Sequence, residues 1–490
     1  MNKSNQNLLG PAICSMLSIF ACDADDQPAD PSASGTEERL YVLSGAVWGP
    51  LDIPVCWQNP STGDTTQRTW VRDAVVNTWE ESSDVAFVGW GTCVSDEPGI
   101  HIKIEDAGPH TMGLGDDLDG VTDGMVLNFT FQNWSPDCAT SAALTQYCIE
   151  AIAVHEFGHA LSFAHEQNRP DTPSNLCSAE QGPQGTNGDI MVGAWDLASV
   201  MNYCNPHWNG DGHLSEGDVT GVQAFYSGWV VSSAGTGGRT LLNPSHETLP
   251  DLRFGDFNGD GETDVFRADG TKWWVSWSGS SAWSQLNTSG YTVGSLAFGD
   301  FDGDGETDVF RANGSKWWVS WSGSGSWSEL NTASDTLASL RFADFNNDGR
   351  ADVFRADGTT WWVSWSGTGL WSPINTSAYT VGNLAFADFD GDGKSEVFRT
   401  DGSKWWVSWS GTGMWSQLNT DGNTLANLRF ADLDGDGASD VFRADGSSWW
   451  VSWSGTGAWS QLQSSDETLD HLALADFDGD GKSDVFRAWY

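Results

Sequence analysis

The chain has 490 residues, with 22 Lys and Arg against 67 Asp and Glu, a formal net charge of −45. A field of that sign repels phosphate backbones and anionic headgroups, which argues against nucleic-acid binding. The 12% aromatic content, 30 Trp included, argues against disorder, and after the first two dozen residues no apolar run is long enough to span a bilayer.

Residues 1–22 carry one charge, Lys3, before an apolar stretch from Leu8 to Ala21. That length suits a signal peptide and is too short for a transmembrane helix. Ile19-Phe20-Ala21-Cys22 resembles a bacterial lipoprotein cleavage box. The product is then extracytoplasmic, either freely secreted or a cell-surface lipoprotein anchored at Cys22, with the bacterial outer membrane as one destination. Residues 23–39, rich in Asp, Pro, Ser and Ala, read as an acidic linker or short pro-segment. Six further cysteines all lie before residue 205. An even number in an exported chain implies disulfides. Proximity along the chain suggests Cys56–Cys93, Cys138–Cys148 and Cys177–Cys204.

Residues 151–171 read AIAVHEFGHALSFAHEQNRPD, with Ile152, Ala153, Phe157, Ala160 and Leu161 at helical spacing. His155 and His159, four apart, share one helix face and suit a single zinc ion. Glu156 lies beside such an ion as general base, since zinc lowers the pKa of its water towards 7. His165 comes six residues after His159, so the chain must turn to deliver a third ligand. Asp116, Asp117, Asp119 and Asp123 read as a solvated loop or a further calcium site.

HEFGHALSFAH resembles the metzincin motif HExxHxxGxxH, and Glu166-Gln-Asn-Arg169-Pro-Asp171 is similar to the astacin subgroup. Ser199-Val-Met201-Asn-Tyr203 resembles the Met-turn in its astacin form, and Leu214 to Tyr226 the last catalytic-domain helix. The resemblance covers residues 40–227. It implies an α+β zinc metalloendopeptidase acting on protein or peptide substrates, with one catalytic zinc on His155, His159 and His165. It also implies Met201 beneath the metal, Tyr203 as a fifth ligand or transition-state donor, and Glu166 tying down the mature N-terminus. Ser162 departs from the family glycine at the turn, where left-handed geometry costs a side-chain-bearing residue about 1–2 kcal/mol.

From residue 228 a 44-residue period takes over, seen in Asp256, Asp300, Asp344, Asp388, Asp432 and Asp476. A period of this length with several short strand-like runs per unit predicts an all-β propeller, one blade per repeat. In one unit the strands fall at 296–301, 307–312, 316–322 and 326–332, with Asn313-Gly314 as a tight hairpin turn of the favoured type. Five complete units and two complementary halves, Gly228–Asn243 and the C-terminal LALADFDGDGKSDVFRAWY, make six blades. Pairing of the halves closes the ring and removes exposed sheet edges.

Each unit carries an acidic loop with oxygen side chains at positions 1, 3, 5 and 9. These are Asp256, Asn258, Asp260 and Asp264; Asp300, Asp302, Asp304 and Asp308; Asp344, Asn346, Asp348 and Asp352. The series continues with Asp388, Asp390, Asp392 and Glu396; Asp432, Asp434, Asp436 and Asp440; Asp476, Asp478, Asp480 and Asp484. Hard ligands at alternate positions suit calcium, about six structural ions in all. The loops resemble those of integrin-α-like FG-GAP (VCBS-type) propellers over residues 228–490. At least half the tryptophans are expected in the core. Trp274, Trp318, Trp362, Trp406 and Trp450 are candidates for a platform that binds carbohydrate, extracellular matrix or a cell surface. The rival expectation is an adhesin or lectin-like protein whose zinc domain is inactive or accessory.

Overall fold

The computed structural model describes residues 40–177, 183–465 and 467–488. The expected signal segment with Cys22 and the linker 23–39 lie outside the described residues.

In the first part, β2 (Asp52–Trp57), β3 (Ala86–Thr92), β4 (Ile100–Ile104), β5 (His110–Thr111) and β6 (Met125–Leu127) form one sheet, with β1 (Leu40–Val42) and β7 (Ile190–Val192) a separate pair. The sheet order is β3-β2-β4-β6-β5. All neighbours run parallel except β5, which lies antiparallel on the edge. Ile53, Val55, Ile100, Ile102, Met125 and Leu127 are buried, and helix α1 (Thr65–Val75) adds Val71 and Val75. Helix α2 (Ala142–Ala160) starts at Ser141, whose Oγ accepts the Leu144 N–H at 3.2 Å, and is buried throughout its second half. Its apolar residues point in all directions, as suits a helix enclosed by protein. The Nε1 groups of Trp79 and Trp48 donate to the Val154 and Ala160 carbonyls, each at 2.8 Å, locking α2 to its surroundings. Helix α3 (Glu216–Tyr226) closes this part with a capping box between Ser215 and Asp218. The three disulfides are Cys56–Cys93, Cys138–Cys148 and Cys177–Cys204, as expected. No helix among the described residues is long and apolar enough to cross a membrane.

The second part is a six-bladed β-propeller. Five blades are four-stranded antiparallel sheets in chain order; the first has strands Leu252–Gly255, Asp264–Ala268, Lys272–Ser276 and Ser284–Thr288. The sixth is composite. Leu472–Ala475 and Asp484–Arg487 join β8 (Trp229–Ser232) and β9 (Arg239–Asn243), with Phe486 opposite Val231. The ring closes through the two halves, as the sequence predicts.

Trp229, Trp273, Trp317, Trp361 and Trp405 are fully buried and meet Trp283, Trp327, Trp371, Trp415 and Trp459 edge-on at 5.4–5.6 Å. Each contact joins one blade to the next, so these tryptophans are core. The acidic loops also knit the ring: Thr263, Thr307, Ala351, Ser395, Ser439 and Ser483 each donate a backbone N–H to the first-Asp carbonyl of the preceding loop.

The hairpin between the second and third strands differs from expectation. Only Gly314 has positive φ, and the loop spans four residues between Ala312 and Trp317. Asn313 Oδ1 accepts the Ser315 and Lys316 N–H groups at 3.0 and 2.9 Å, and this side-chain turn replaces the two-residue type I′ turn. The strands of this blade are also shorter than predicted: Ala297–Gly299, Asp308–Ala312, Trp317–Ser320 and Ser328–Asn331.

The two parts meet at the composite blade. Arg239 Nε and Nη2 donate to Asp52 at 3.1 and 2.9 Å. Buried Arg487 pairs with Asp84, which also accepts the Gly228 N–H at 3.0 Å.

Candidate metal centre

The last turns of α2 carry His155 and His159, and the chain then reverses at Ser162, whose φ is +71°. Ser162 therefore adopts the left-handed geometry that the turn requires. Its Oγ donates to the Leu43 carbonyl at 2.5 Å, and the Leu43 N–H donates back to Ser162 O at 3.0 Å. The reversal brings His165 Nε2 to 3.2 Å from the Nε2 atoms of both His155 and His159.

Each imidazole is oriented by a backbone carbonyl. Nδ1 of His155, His159 and His165 lies 2.7, 2.7 and 2.9 Å from the oxygens of Val200, Phe163 and Gln184. Carbonyls only accept, so Nδ1 carries the proton and Nε2 presents a lone pair. Burial and neighbouring histidines keep the rings neutral: His155 is pushed down to about 3 and His159 well down, while burial lowers His165. Three lone pairs converging at this separation cannot bond one another; a cation is the partner that fits. Orientation of ligand rings by outer carbonyls is the usual support of a zinc site.

Glu156 projects beside this cluster and is only 4% exposed. Burial pushes its carboxyl up to about 8, and Oε2 has no hydrogen-bond partner among the described residues. Tyr203 packs against His165 and His155 at ring separations of 4.4 and 5.3 Å. Burial, then the Glu156 charge, raises its phenol, so it stays protonated. Met201 is fully buried under α2, and a Cβ on Gly158 would meet its Sδ at 2.3 Å, so any larger residue there would displace the Met201 side chain.

Sequence reasoning missed Asp218. Reaching from α3, it accepts the Ser199 hydroxyl at 2.6 Å and the Val200 N–H at 2.9 Å, while capping its own helix through Ser215. It thus holds the segment that supplies the carbonyl for His155 and the floor residue Met201. The capping-box spacing Ser215-x-x-Asp218 was the visible signal. Glu166 is fully buried and accepts the Asp196 N–H at 3.0 Å; Arg169 pairs with it at 3.3 Å and with Asp171 at 2.9 Å. Asp119 accepts the Gly99 N–H at 2.6 Å and Asp123 pairs with Lys103 at 3.1 Å, so both serve their loop.

On the ring, the loop oxygens gather as expected for positions 1, 3 and 5 in Asp300, Asp302 and Asp304. Positions 1, 3 and 9 gather in Asp388, Asp390 and Glu396 and in Asp432, Asp434 and Asp440. Position 9 has a second role. Asp264, Asp308, Asp352, Glu396, Asp440 and Asp484 are buried and accept backbone N–H groups from position 2 of the loop and from the turn after the third strand. Trp274, Trp318, Trp362, Trp406 and Trp450 are half-buried. Arg267, Arg311, Arg355, Arg399 and Arg443 stack over them at 5.1–5.8 Å. Four of these indoles donate to the turn aspartates Asp269, Asp357, Asp401 and Asp445; the blade of Trp318 has Asn313 at the corresponding position.

The model for FG-GAP-like repeats matches residues 256–311, 300–355, 344–399, 388–443 and 432–486. No curated protein matches the chain. Among solved structures the chain is similar to myroilysin, at 18% identity over 38% of this chain and 97% of that one, TM-score 0.28. It is similar to the hatching enzyme zinc-protease HCE-1 of Oryzias latipes, at 19% over 37% and 94%, TM-score 0.25. It is also similar to a lectin of Agrocybe aegerita that recognises non-reducing terminal N-acetylglucosamine, at 17% over 53% and 83%, TM-score 0.37. These scores are low, and the chemistry rests on the chain's own residues.

Proposed function

We propose that residues 40–227 are a metzincin-like zinc metalloendopeptidase domain of an exported protein. Residues 228–490 are then a ring stabilised by about six calcium ions that binds a substrate, a glycan or a surface. The observation that carries the first reading is the convergence of three neutral Nε2 lone pairs beside a buried carboxyl oxygen lacking a partner.

His155, His159 and His165 would hold a zinc ion, which when bound would supply a Lewis acid and lower the pKa of a water molecule towards neutrality. Glu156 takes the proton of the attacking water and delivers it to the leaving amine. A neighbouring cation favours the carboxylate form that this needs, against the burial that otherwise raises it. The Tyr203 hydroxyl donates to the oxygen on which negative charge develops. Asp218 and Met201 keep the ligand rings in place.

Casein cleavage tests the reading. Glu156→Ala is expected to lower the rate about 10²–10⁴-fold while zinc content stays at one per chain. Zinc-bound wild type that cleaves neither casein nor gelatin would instead favour the adhesin reading, whose support is the five repeated Trp–Arg pairs on the ring.

A further inference from the structure

Two hollows flank Glu156, Gln184 and Tyr203, and they differ in character. One, of about 280 Å³, has Trp134, Ile152, Trp208 and Pro109 in its walls. The other, of about 250 Å³, runs past His159 and His165 and is walled by Thr111, Gly113, Gly185 and Thr186.

We propose that the first hollow takes a bulky apolar side chain, aromatic above all, from a residue beside the scissile bond, and that the second admits small or polar ones. This rests on the peptidase reading. Trp134 and Trp208 are 36% and 39% exposed, so both indoles offer apolar surface that a ligand side chain could cover. They stand on braced segments. The Cys138–Cys148 disulfide ties the chain after Trp134 to α2, and a Cβ on Gly108 would meet the Trp134 indole nitrogen at 3.2 Å. Trp208 packs on Tyr147, whose hydroxyl donates to Asp211 at 2.7 Å.

Two polar residues of this hollow, Asn202 and Asn205, are already engaged. Asn202 donates to Asp196 O at 2.6 Å and accepts the Cys204 N–H at 3.0 Å. Asn205 donates to Ala198 O at 2.9 Å and accepts the His207 N–H at 2.9 Å. These two amides are held by the wall's own backbone and stiffen it. Among the described residues neither Lys nor Arg lines the hollow, so an acidic side chain would meet the Glu156 carboxyl and the net charge of −45. The volume is ample, since roughly 150 Å³ admits a benzene ring.

Two measurements on the full-length zinc-loaded protein test this. A digest of a proteome-derived peptide mixture should show Phe, Tyr, Trp or Leu enriched at one position flanking the cleaved bond, with kcat/KM at least about tenfold above the Ala counterpart. Independently of turnover, E156A should bind a fluorescein-labelled Gly/Ser peptide carrying one Phe at least about tenfold more tightly than the same peptide without it. Trp134→Ala and Trp208→Ala should bring that ratio towards one, while Trp208→Phe retains it. Cleavage without apolar preference, or equal binding of the two peptides, overturns the inference and leaves the peptidase reading intact. Phe-selective binding by E156A with no cleavage by wild type overturns the peptidase reading and upholds the pocket's preference.

Discussion

The candidate metal centre and the ring use opposite strategies. At the centre every role occurs once, and each histidine is fixed by a carbonyl from a different segment: Val200, Phe163 and Gln184. In the ring each role recurs, and the exceptions show what a position does. Five arginines stack over a third-strand tryptophan, but Arg487 in the composite blade faces Val230. Arg239 stands where the first blade has Trp283. Both arginines turn to carboxylates of the first part, Asp84 and Asp52. One blade has exchanged its aromatic crevice for a dock, and the other five keep theirs.

Breaking that dock is expected to have the largest effect on stability. Asp84→Ala takes one of two carboxylates from buried Arg487, whose Nη1 keeps Glu467 at 3.2 Å, and removes the acceptor of the Gly228 N–H, so the loss is expected towards the lower end of a broken buried pair. Losing one member of a buried pair costs about 3–5 kcal/mol. Calorimetry should show a lower first transition and a split between the two parts. The double variant Asp84→Ala/Arg487→Met should recover much of the loss. A single unshifted transition in Asp84→Ala would mean that the seam contributes nothing to coupling.

The same contrast governs what was legible in the sequence. Repetition made the ring readable: six aspartates 44 residues apart and two complementary half-units predict six blades and their closure. The histidine cluster was readable because a helix and one turn bring its members together. Contacts between distant segments were not. Trp134 and Trp208 share a hollow although 74 residues apart, and nothing local marks them as neighbours. Asp218, which caps its own helix with Ser215, is also a brace for Ser199 and Val200. The Asn313 turn was misjudged because its side-chain oxygen competes for the backbone N–H groups that define turn type.

Calcium and pH give a smaller effect on the ring. Burial pushes Asp264, Asp352 and Asp440 up to about 6, Asp308 and Glu396 up to about 7, and raises Asp484. Unfolded carboxyls titrate near 4. Between those values the folded ring holds more protons than the unfolded chain, so its stability falls as pH rises from about 4 to about 7. In chelator the Tm of the ring should be lower at pH 8 than at pH 5, by about 2–4 °C per kcal/mol lost. Calcium should restore more at pH 8, because ion binding needs the carboxylates ionised. A Tm in chelator that rises over this range would exclude the buried ninth-position carboxyls as its cause.

The smallest effect is expected at Ser162, and it concerns the order of two variants. Positive φ costs this residue about 1–2 kcal/mol relative to glycine. Its hydroxyl recovers about 1 kcal/mol through the Leu43 carbonyl. Ser162→Gly removes the strain and the bond together, so its Tm should stay close to wild type. Ser162→Ala keeps the strain and loses the bond, which leaves the Leu43 carbonyl with one donor fewer and costs about 1–2 kcal/mol. The turn also carries the Phe163 carbonyl that orients His159. Zinc affinity should therefore follow the same order as Tm: wild type and Ser162→Gly together, Ser162→Ala weaker. If Ser162→Ala matched wild type in both, the hydroxyl would have no part in holding the turn, and relief of backbone strain alone would separate the natural serine from glycine.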